Sequence, residues 1–410
     1  MGQFLNKERM IREMERQNIE DVVASSLENT FYLADSPIPG FVVFPRDPKI
    51  TPFIVTWVAY VDKVVDSNTW IKDVKYCGTF FFEYFDDSNL IELEKNMHKL
   101  VGPVRKEVEE WWRLQRGGVE GVPGLVEKLV QGLNERGLDK GVLGIEEKGI
   151  TPSMYETIKR KLEKANIKIA DDVFNFARMV KTPFEITLFR EGTPIVEAGI
   201  KAVCAIAREG LSEQELFNEY KRAVVSLGGG IASNTIFAVG HRSVMPTSGV
   251  GLNRSVKLQR GDMIRFNPII DYKNHPFHMG RTAVLGEPKD AKLKPYFKAM
   301  LAGESAEIEA IKPGVKASEI YQICDQVVKT SGIPHYRRHM VGHGLGIGPS
   351  YDKPIFAFND DTVLEEGMIF NLEPNYFEFG LGGLQLEDTV LVTRTGCELL
   401  TTTKRDLWEI

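Results

Sequence analysis

Two carboxylates interrupt strand-like apolar runs near the end of the chain: Glu373 in FNLEPN and Glu387 in LGGLQLEDTVLV. A carboxylate buried in such a run costs several kcal/mol unless a charge or a metal compensates it. Whatever the fold, it must bring a partner to each. The histidine of VGHGLGIG, His343, has glycine on both sides, which would leave the approach to its imidazole open. Two glutamates on neighbouring strands and one histidine are therefore expected to form one site.

The rest of the chain supplies a scaffold in two parts. At about 150 residues per domain, 410 residues predict two to three domains. The N-terminal stretch has Phe4, Met10, Ile11, Met14 and Ile19 at roughly helical spacing. Short β-branched or aromatic runs follow at 21–26, 40–44, 52–61, 80–85 and 141–147, set among Pro, Gly and Asp. Helical stretches at 89–114, 123–136 and 152–164 alternate with them. That alternation predicts an α/β layer domain over 1–168. A second domain, 169–410, is helix-rich at first. Its helices are predicted at 183–208, closed by Gly210, and from a Ser212–Glu215 capping box up to Gly228–Gly230. No GK[ST] follows the three glycines, so they read as a helix stop and not as a phosphate loop. A hairpin over 262–287 turning near Tyr272–Asn274, helices at 292–311 and 317–331, and a strand-rich tail complete it. The whole is α+β in class.

Composition excludes several functions. With 43% hydrophobic and 26% charged residues, the chain is neither disordered nor a coiled coil. A net charge of −6 argues against a general nucleic-acid binder. Four cysteines without CxxC spacing read as reduced thiols. No apolar run reaches the length of a membrane span, and the charged N-terminus lacks a signal-peptide core. The expected location is cytoplasmic, with no membrane partner.

From about 172 onward the chain resembles the creatinase/prolidase/methionine-aminopeptidase (M24) family, the pita-bread fold. The resemblance is carried by KTPFEITLFREG (181–192), GDMIRFN (261–267), GRTAVLGEP (280–288), IKPGVKASEI (311–320), VGHGLGIG (341–348), EEGMIFNLEPN (365–375) and GGLQLEDTVLVTRTGCELLT (382–401). The first 165 or so residues resemble, more weakly, the small α/β domain of the creatinase/prolidase branch. The resemblance implies a curved antiparallel sheet covered by helices, and a homodimer.

It also implies a ligand pattern of Asp, Asp, His, Glu and Glu around two divalent ions. Here Asn267 stands for the first Asp and His278 for the second, while His343, Glu373 and Glu387 are kept. Asn267 is a poor ligand for a hard divalent ion, and an imidazole cannot bridge two ions as the second Asp does. A dinuclear centre is not expected. Two alternatives stay open. His278, His343, Glu373 and Glu387 form a mononuclear site for Zn²⁺, Fe²⁺ or Mn²⁺, or the histidines hydrogen-bond the glutamates with no ion. Two peptidase histidines are also missing, Thr247 and Ser350 standing in their places. His241 is a candidate substitute for the first. Asp271, toward the hairpin turn, is a poor substitute ligand.

The catalytic candidates are thus His343, Glu373, Glu387, His278 and His241. Glu373 or Glu387 would serve as acid or base if burial raises a pKa. The substrate-binding candidates are Arg281 and Arg265, able to grip a carboxylate in bidentate fashion, with Tyr351 and Asn267. The function expected first is hydrolysis of a C–N bond in a small, polar, amino-acid-like or peptide-like substrate. The alternatives are a metal-dependent Xaa-Pro peptidase with an altered site, and a non-catalytic binding protein or a lyase on the same fold.

Overall fold

A computed structural model describes the chain except residues 1, 68, 79–123, 233–234, 246–253 and 348–350. The expected strand at 80–85, the expected helix at 89–114, Thr247 and Ser350 lie outside the described residues. The chain divides into two compact units, Met1–Ala177 and Arg178–Ile410.

The first unit is a six-stranded mixed sheet with helices. Its strands are β1 (Asp21–Ala24), β2 (Gly40–Pro45), β3 (Phe53–Trp57), β4 (Asp73–Cys77), β5 (Gly141–Ile145) and β6 (Ala165–Ile169). Their order is β4-β3-β2-β1-β5-β6. β1, β2 and β3 pair antiparallel, while β4 joins β3, β5 joins β1 and β6 joins β5 in parallel. Val23, Val43, Phe53, Val55 and Ile145 are fully buried against Leu129, Leu133 and Ile158 of the helices Leu125–Glu135 and Pro152–Lys161. Each such side chain contributes about 1.5–3 kcal/mol relative to exposure.

Three details depart from the expected pattern. The run 52–61 is a strand only to Trp57, then turns helical. β4 and β6 were not foreseen: DVKYC and ANIKI alternate polar and apolar residues, but over five positions only, a short signal. The first unit also ends at Ala177 and not at 168. Residues after 168 are tied to it: Ala170 donates to the Ile145 carbonyl, the Asp171 carboxylate accepts from the Glu147 N–H, and Val173 and Phe174 are fully buried.

The second unit starts its long helix, Pro183–Ile206, with a capping box between Thr182 and Glu185. The helix Glu213–Ser226 follows, and its expected Ser212–Glu215 capping box is formed. Its strands are β7 (Gly230–Ile231), β8 (Ile236–Val239), β9 (Met263–Asn267), β10 (Ile269–Tyr272), β11 (His275–His278), β12 (Arg281–Val284), β13 (Gly342–Gly344), β14 (Asp352–Ile355), β15 (Ile369–Leu372), β16 (Tyr376–Glu378), β17 (Gly382–Leu384), β18 (Asp388–Val392), β19 (Cys397–Leu399) and β20 (Trp408–Glu409). They form sheets ordered β11-β10-β7, β20-β12-β9-β8, β14-β13-β15-β18-β19 and β16-β17.

The expected hairpin turns at Lys273 and Asn274, whose φ of 51° and 62° is the left-handed pair of a two-residue loop between Tyr272 and His275. It is built from four short strands, β9 to β12, in place of two long ones. The helices Leu293–Ala310 and Ala317–Thr330 pack on each other and carry Phe297, Met300, Ile320 and Cys324 into the same core as Phe370, Leu372 and Val390. The four cysteines are free thiols. Among the described residues, no helix is long and apolar enough to cross a membrane.

Candidate active site

Four strands bring the expected residues together. Asn267 ends β9, His278 ends β11, His343 lies in the middle of β13, and Glu373 immediately follows β15. Glu387 stands just before β18 and is held by a two-way backbone bridge to Gly280. A Cβ on Gly280 would lie 2.6 Å from Cγ of both Glu387 and Gln385, so only glycine admits these side chains. The glycines beside His343 have a similar task. A Cβ on Gly344 would meet the Lys353 carbonyl at 2.5 Å. They let β13 fit between β14 and β15, and do not open the imidazole to approach, as the sequence suggested. His343 itself is buried.

Glu387 is the centre of the arrangement. It is fully buried, and its carboxylate accepts from Asn267 Nδ2 (3.2 Å), Asn371 Nδ2 (3.1 Å), Asn375 Nδ2 (2.8 Å) and Gln385 Nε2. His278 Nδ1 lies 3.4 Å away. Burial pushes its pKa up, but His278 and the amide donors outweigh it and hold the carboxyl at about 2. Glu387 is an anion at any ordinary pH.

Glu373 is its opposite. Burial, then repulsion from Glu387, raise its pKa well above the usual range, and Arg338 opposes this only partly. Two neighbouring buried carboxylates cannot both ionise cheaply, and Glu373 is the one that keeps a proton.

His343 Nδ1 is 2.9 Å from the Gly344 carbonyl, so Nδ1 carries the hydrogen and Nε2 presents a lone pair. Burial and the adjacent His278 hold its pKa down at about 3, so the ring is neutral. The His278 and His343 rings stack, with centroids 5.0 Å apart and planes within 10°. The half-exposed Tyr351 ring lies 4.0 Å from the His343 ring.

Acceptors outnumber donors here. Asn267 Oδ1, Asn371 Oδ1, Gln385 Oε1, Glu373 Oε1 and His343 Nε2 are all buried without a hydrogen-bond partner among the described residues. The amides cannot flip to relieve this, because flipping would aim their oxygens at the Glu387 anion.

Residues 187–394 match metallopeptidase family M24. The Xaa-Pro dipeptidase of Pyrococcus furiosus is 33% identical over 266 residues, covering 65% of this chain and 75% of that protein. The chain belongs to metallopeptidase family M24. Among other M24-like relatives, the putative dipeptidase YkvY of Bacillus subtilis is 28% identical over 282 residues, 68% of this chain and 76% of its own. The structure of an Xaa-Pro dipeptidase from Bacillus anthracis superposes with a TM-score of 0.77 at 22% identity, over 98% of this chain and 99% of that one. A prolidase from Pyrococcus horikoshii gives 0.73 at 23%, over 98% and 99%. The chain thus has the α+β pita-bread fold behind an N-terminal domain, and M24 membership makes it a hydrolase of C–N bonds.

Within this M24 unit, three expected roles change. Arg281 cannot grip a substrate. Its guanidinium is fully buried and all five N–H groups are spent on the carbonyls of Gly280, Glu387, Thr403 and Lys404, the Thr403 hydroxyl and the Asp388 carboxylate. Arg265 is fully buried too. It donates to the Ser243 carbonyl at 2.5 Å and lies over the Phe377 ring, reached by no solvent. His241 is exposed and lines a cleft of about 480 Å³ with Lys257, Gln259, Asp262 and Lys289, a cleft to which none of the Glu387 set contributes. Asp271 pairs with Pro276 in the hairpin, on exposed backbone away from the set.

Four site residues were missed: Asn371, Asn375, Gln385 and Arg338. The first three are polar residues inside the same apolar runs as Glu373 and Glu387, which was the available signal. Arg338 gave none. It belongs to a basic pair in a loop, and Arg338 Nη2 lies 3.9 Å from Glu373 Oε1.

Proposed function

We propose that this M24 hydrolase cleaves a C–N bond in a small, polar, amino-acid-like substrate that presents several N–H donors, and that it does so without a dinuclear metal centre. The observation that carries this is the surplus of buried acceptors around Glu387. Each buried acceptor left unpaired costs about 1–3 kcal/mol. A substrate group rich in N–H, such as an amidinium, a guanidinium or an ammonium, would satisfy several at once.

The residues divide the work. Glu387, a fixed anion, holds the cationic nitrogen group. Glu373, whose raised pKa favours the protonated form, can pass a proton to the departing nitrogen as general acid. His343 Nε2 accepts, and can orient a water toward the carbon under attack. Tyr351, over His343, shapes the entrance.

The donor set does not suit two ions. Asn267 is neutral, His278 cannot bridge, and the oxygens of Glu387 already accept amide N–H groups. On this donor chemistry no step is assigned to a pair of ions.

A second reading is a metal-dependent Xaa-Pro peptidase with a single Zn²⁺, Fe²⁺ or Mn²⁺ on His278, His343, Glu373 and Glu387. Two observations favour it: the similarity to Xaa-Pro dipeptidases, and the His343 tautomer, which has its free Nε2 and carbonyl-bound Nδ1 in the manner of a metal ligand. One assay separates the readings. Protein treated with EDTA, and the same protein given Mn²⁺, is offered guanidino, amidine, N-acyl amino-acid and Xaa-Pro compounds. Metal-independent turnover of an N–H-rich compound supports the first reading. Turnover of Xaa-Pro dipeptides alone, and only with Mn²⁺, overturns it.

A further inference from the structure

The strand that follows Glu373 belongs to a sheet of two. β16 pairs antiparallel with β17, Tyr376 opposite Leu384, Phe377 opposite Gly383 and Glu378 opposite Gly382, and among the described residues no third strand joins them. A lone pair of strands is only marginally stable, so side chains must fix where it lies. Alternation gives the first strand two faces. Asn375, just before it, and Phe377 point to the active site. Asn375 Nδ2 donates to Glu387 at 2.8 Å, Asn375 Oδ1 accepts from the Leu386 N–H at 3.1 Å, and the Arg265 guanidinium lies 5.1 Å from the Phe377 ring centroid. Tyr376 and Glu378 point the other way. The Tyr376 hydroxyl donates to Glu378 Oε2 at 2.6 Å and lies 2.7 Å from His335 Nε2, while Lys292 Nζ reaches Glu378 Oε1 at 2.8 Å. The Tyr296 ring meets the Tyr376 ring edge-on, with centroids 5.3 Å apart. The hydrogens of this cluster can be placed. Lys292, then the Tyr376 hydroxyl, hold the Glu378 carboxyl below the usual carboxylate range, so it is an anion and accepts. The single hydroxyl hydrogen of Tyr376 goes to Glu378, and His335 Nε2 therefore carries a hydrogen and donates to the Tyr376 oxygen. One hydroxyl thus joins β16 to the loop after the helix Ala317–Thr330 and, through Glu378, to Lys292 at the cap of the helix Leu293–Ala310.

We propose that Tyr376 is a positioning residue for the hydrolysis: its hydroxyl ties the outer face of β16 to His335 and Glu378, and so holds Asn375 at its bond to Glu387. The effect extends to Glu373, because the Asn375 N–H donates to the Glu373 carbonyl at 2.7 Å. Tyr376 touches neither Glu387 nor the substrate. It acts by fixing the strand whose opposite face does. This goes beyond the reading of the substrate given above and does not depend on it.

Hydrogen exchange at side-chain amides, followed by NMR on the full chain with isotope-labelled asparagine, tests this without any ligand. The signals of Asn371 and Asn375 are assigned by comparison with Asn371→Ser and Asn375→Ser. Asn371 donates to the same carboxylate from β15 and is the internal control. In Tyr376→Phe, which removes the hydroxyl alone, exchange at the Asn375 amide should quicken by about two- to tenfold, the worth of one net hydrogen bond, while Asn371 exchanges as in wild type. His335→Ala, at an exposed position, removes the bond on the other side of the hydroxyl and should move Asn375 in the same direction. Unchanged exchange at Asn375 in Tyr376→Phe, or in His335→Ala should the Phe variant not fold, overturns the inference. Equal quickening at both asparagines also overturns it, because a loss of global stability exposes both alike. Either result leaves the acceptor-set reading to the EDTA and Mn²⁺ assay above.

Discussion

Glu387 and Asp388 are neighbours in the chain and both are fully buried, yet they live in opposite surroundings. Asp388 faces basic and hydroxyl donors. Arg281 Nη2 reaches its Oδ1 at 2.6 Å, the Thr401 hydroxyl donates to the same oxygen at 2.5 Å, and Arg405 Nε reaches Oδ2 at 3.0 Å. Arg405 continues to Glu304 at 2.7 Å. Glu387 faces neutral amides, two histidines and Glu373, with acceptors left over. Strand alternation sends the two side chains to different faces. One face ties its carboxylate to two arginines and a threonine hydroxyl, although Glu304 Oε1 beyond them has no partner among the described residues. The other leaves several acceptors without a partner among the described residues, and the ligand proposed above is the reading we give to them.

The largest effect should follow from attacking the open face. Glu373→Gln matches the protonated carboxyl in shape but cannot release a proton. We expect kcat to fall about 10²–10⁴-fold, the usual worth of a general acid, with thermal stability close to wild type. Wild-type activity should also decline as pH rises through the raised pKa of Glu373, because the acid form is lost. A pH–rate profile checks this, and retention of full activity by Glu373→Gln would remove the acid role.

The contrast also explains what could be read from sequence. Glu373, Glu387 and His343 were visible because carboxylates within apolar runs demand compensation, and the structure does bring them together. The boundaries of the helices Pro183–Ile206, Leu293–Ala310 and Ala317–Thr330 were legible within a few residues, because caps and helical spacing are local signals. What was illegible depends on contact across the chain. Arg281 looks like any arginine beside a turn until Asp388 and Thr403, more than a hundred residues on, are seen to exhaust it. Arg338 is equally silent, because its environment is set by Phe377 and Glu373. β4 and β6 escaped because five alternating residues are a short signal, which pairing with β3 and β5 completes.

Breaking the closed face should cost stability in place of chemistry. Asp388→Asn leaves Arg281 and Arg405 buried against a neutral amide. Removing one partner of a buried ion pair costs about 3–5 kcal/mol. A lowered denaturant midpoint, with activity per folded molecule far less affected, is the expected pattern. Equal loss of both would erase the distinction between the faces.

A smaller effect sharpens the same contrast from within the core. Glu307 is fully buried, with the Cys324 thiol beside it and no nitrogen or hydroxyl donor on either oxygen among the described residues. Burial, then the nearby Glu304, push its pKa well above the ordinary 4.5. Its folded-state pKa is raised, so its contribution to stability is complete below the unfolded value and is lost as pH rises toward the folded one. Glu307→Gln abolishes that titration. The variant should gain on wild type as pH rises above the unfolded-state pKa, with a limiting slope of about 1.4 kcal/mol per pH unit, until the raised folded-state pKa is reached. A stability difference that does not change with pH would show that Glu307 is ionised in the folded chain.

The smallest effect concerns His241, which stands apart from both faces. Sequence position alone offered it as the histidine missing from the peptidase pattern, and the fold carries it elsewhere. It lies in the turn after β8, exposed, among Lys257, Gln259, Asp262 and Lys289. An exposed imidazole outside the Glu387 set is a surface position, and substitutions of this kind usually change stability by less than about 0.5 kcal/mol. His241→Ala should therefore leave kcat/KM and the unfolding midpoint near wild type. A large fall in kcat at unchanged stability would mean that the 480 Å³ cleft, and not the Glu387 set alone, takes part in turnover. The division of labour between the two faces of the Glu387–Asp388 pair would then have to be extended to a third region.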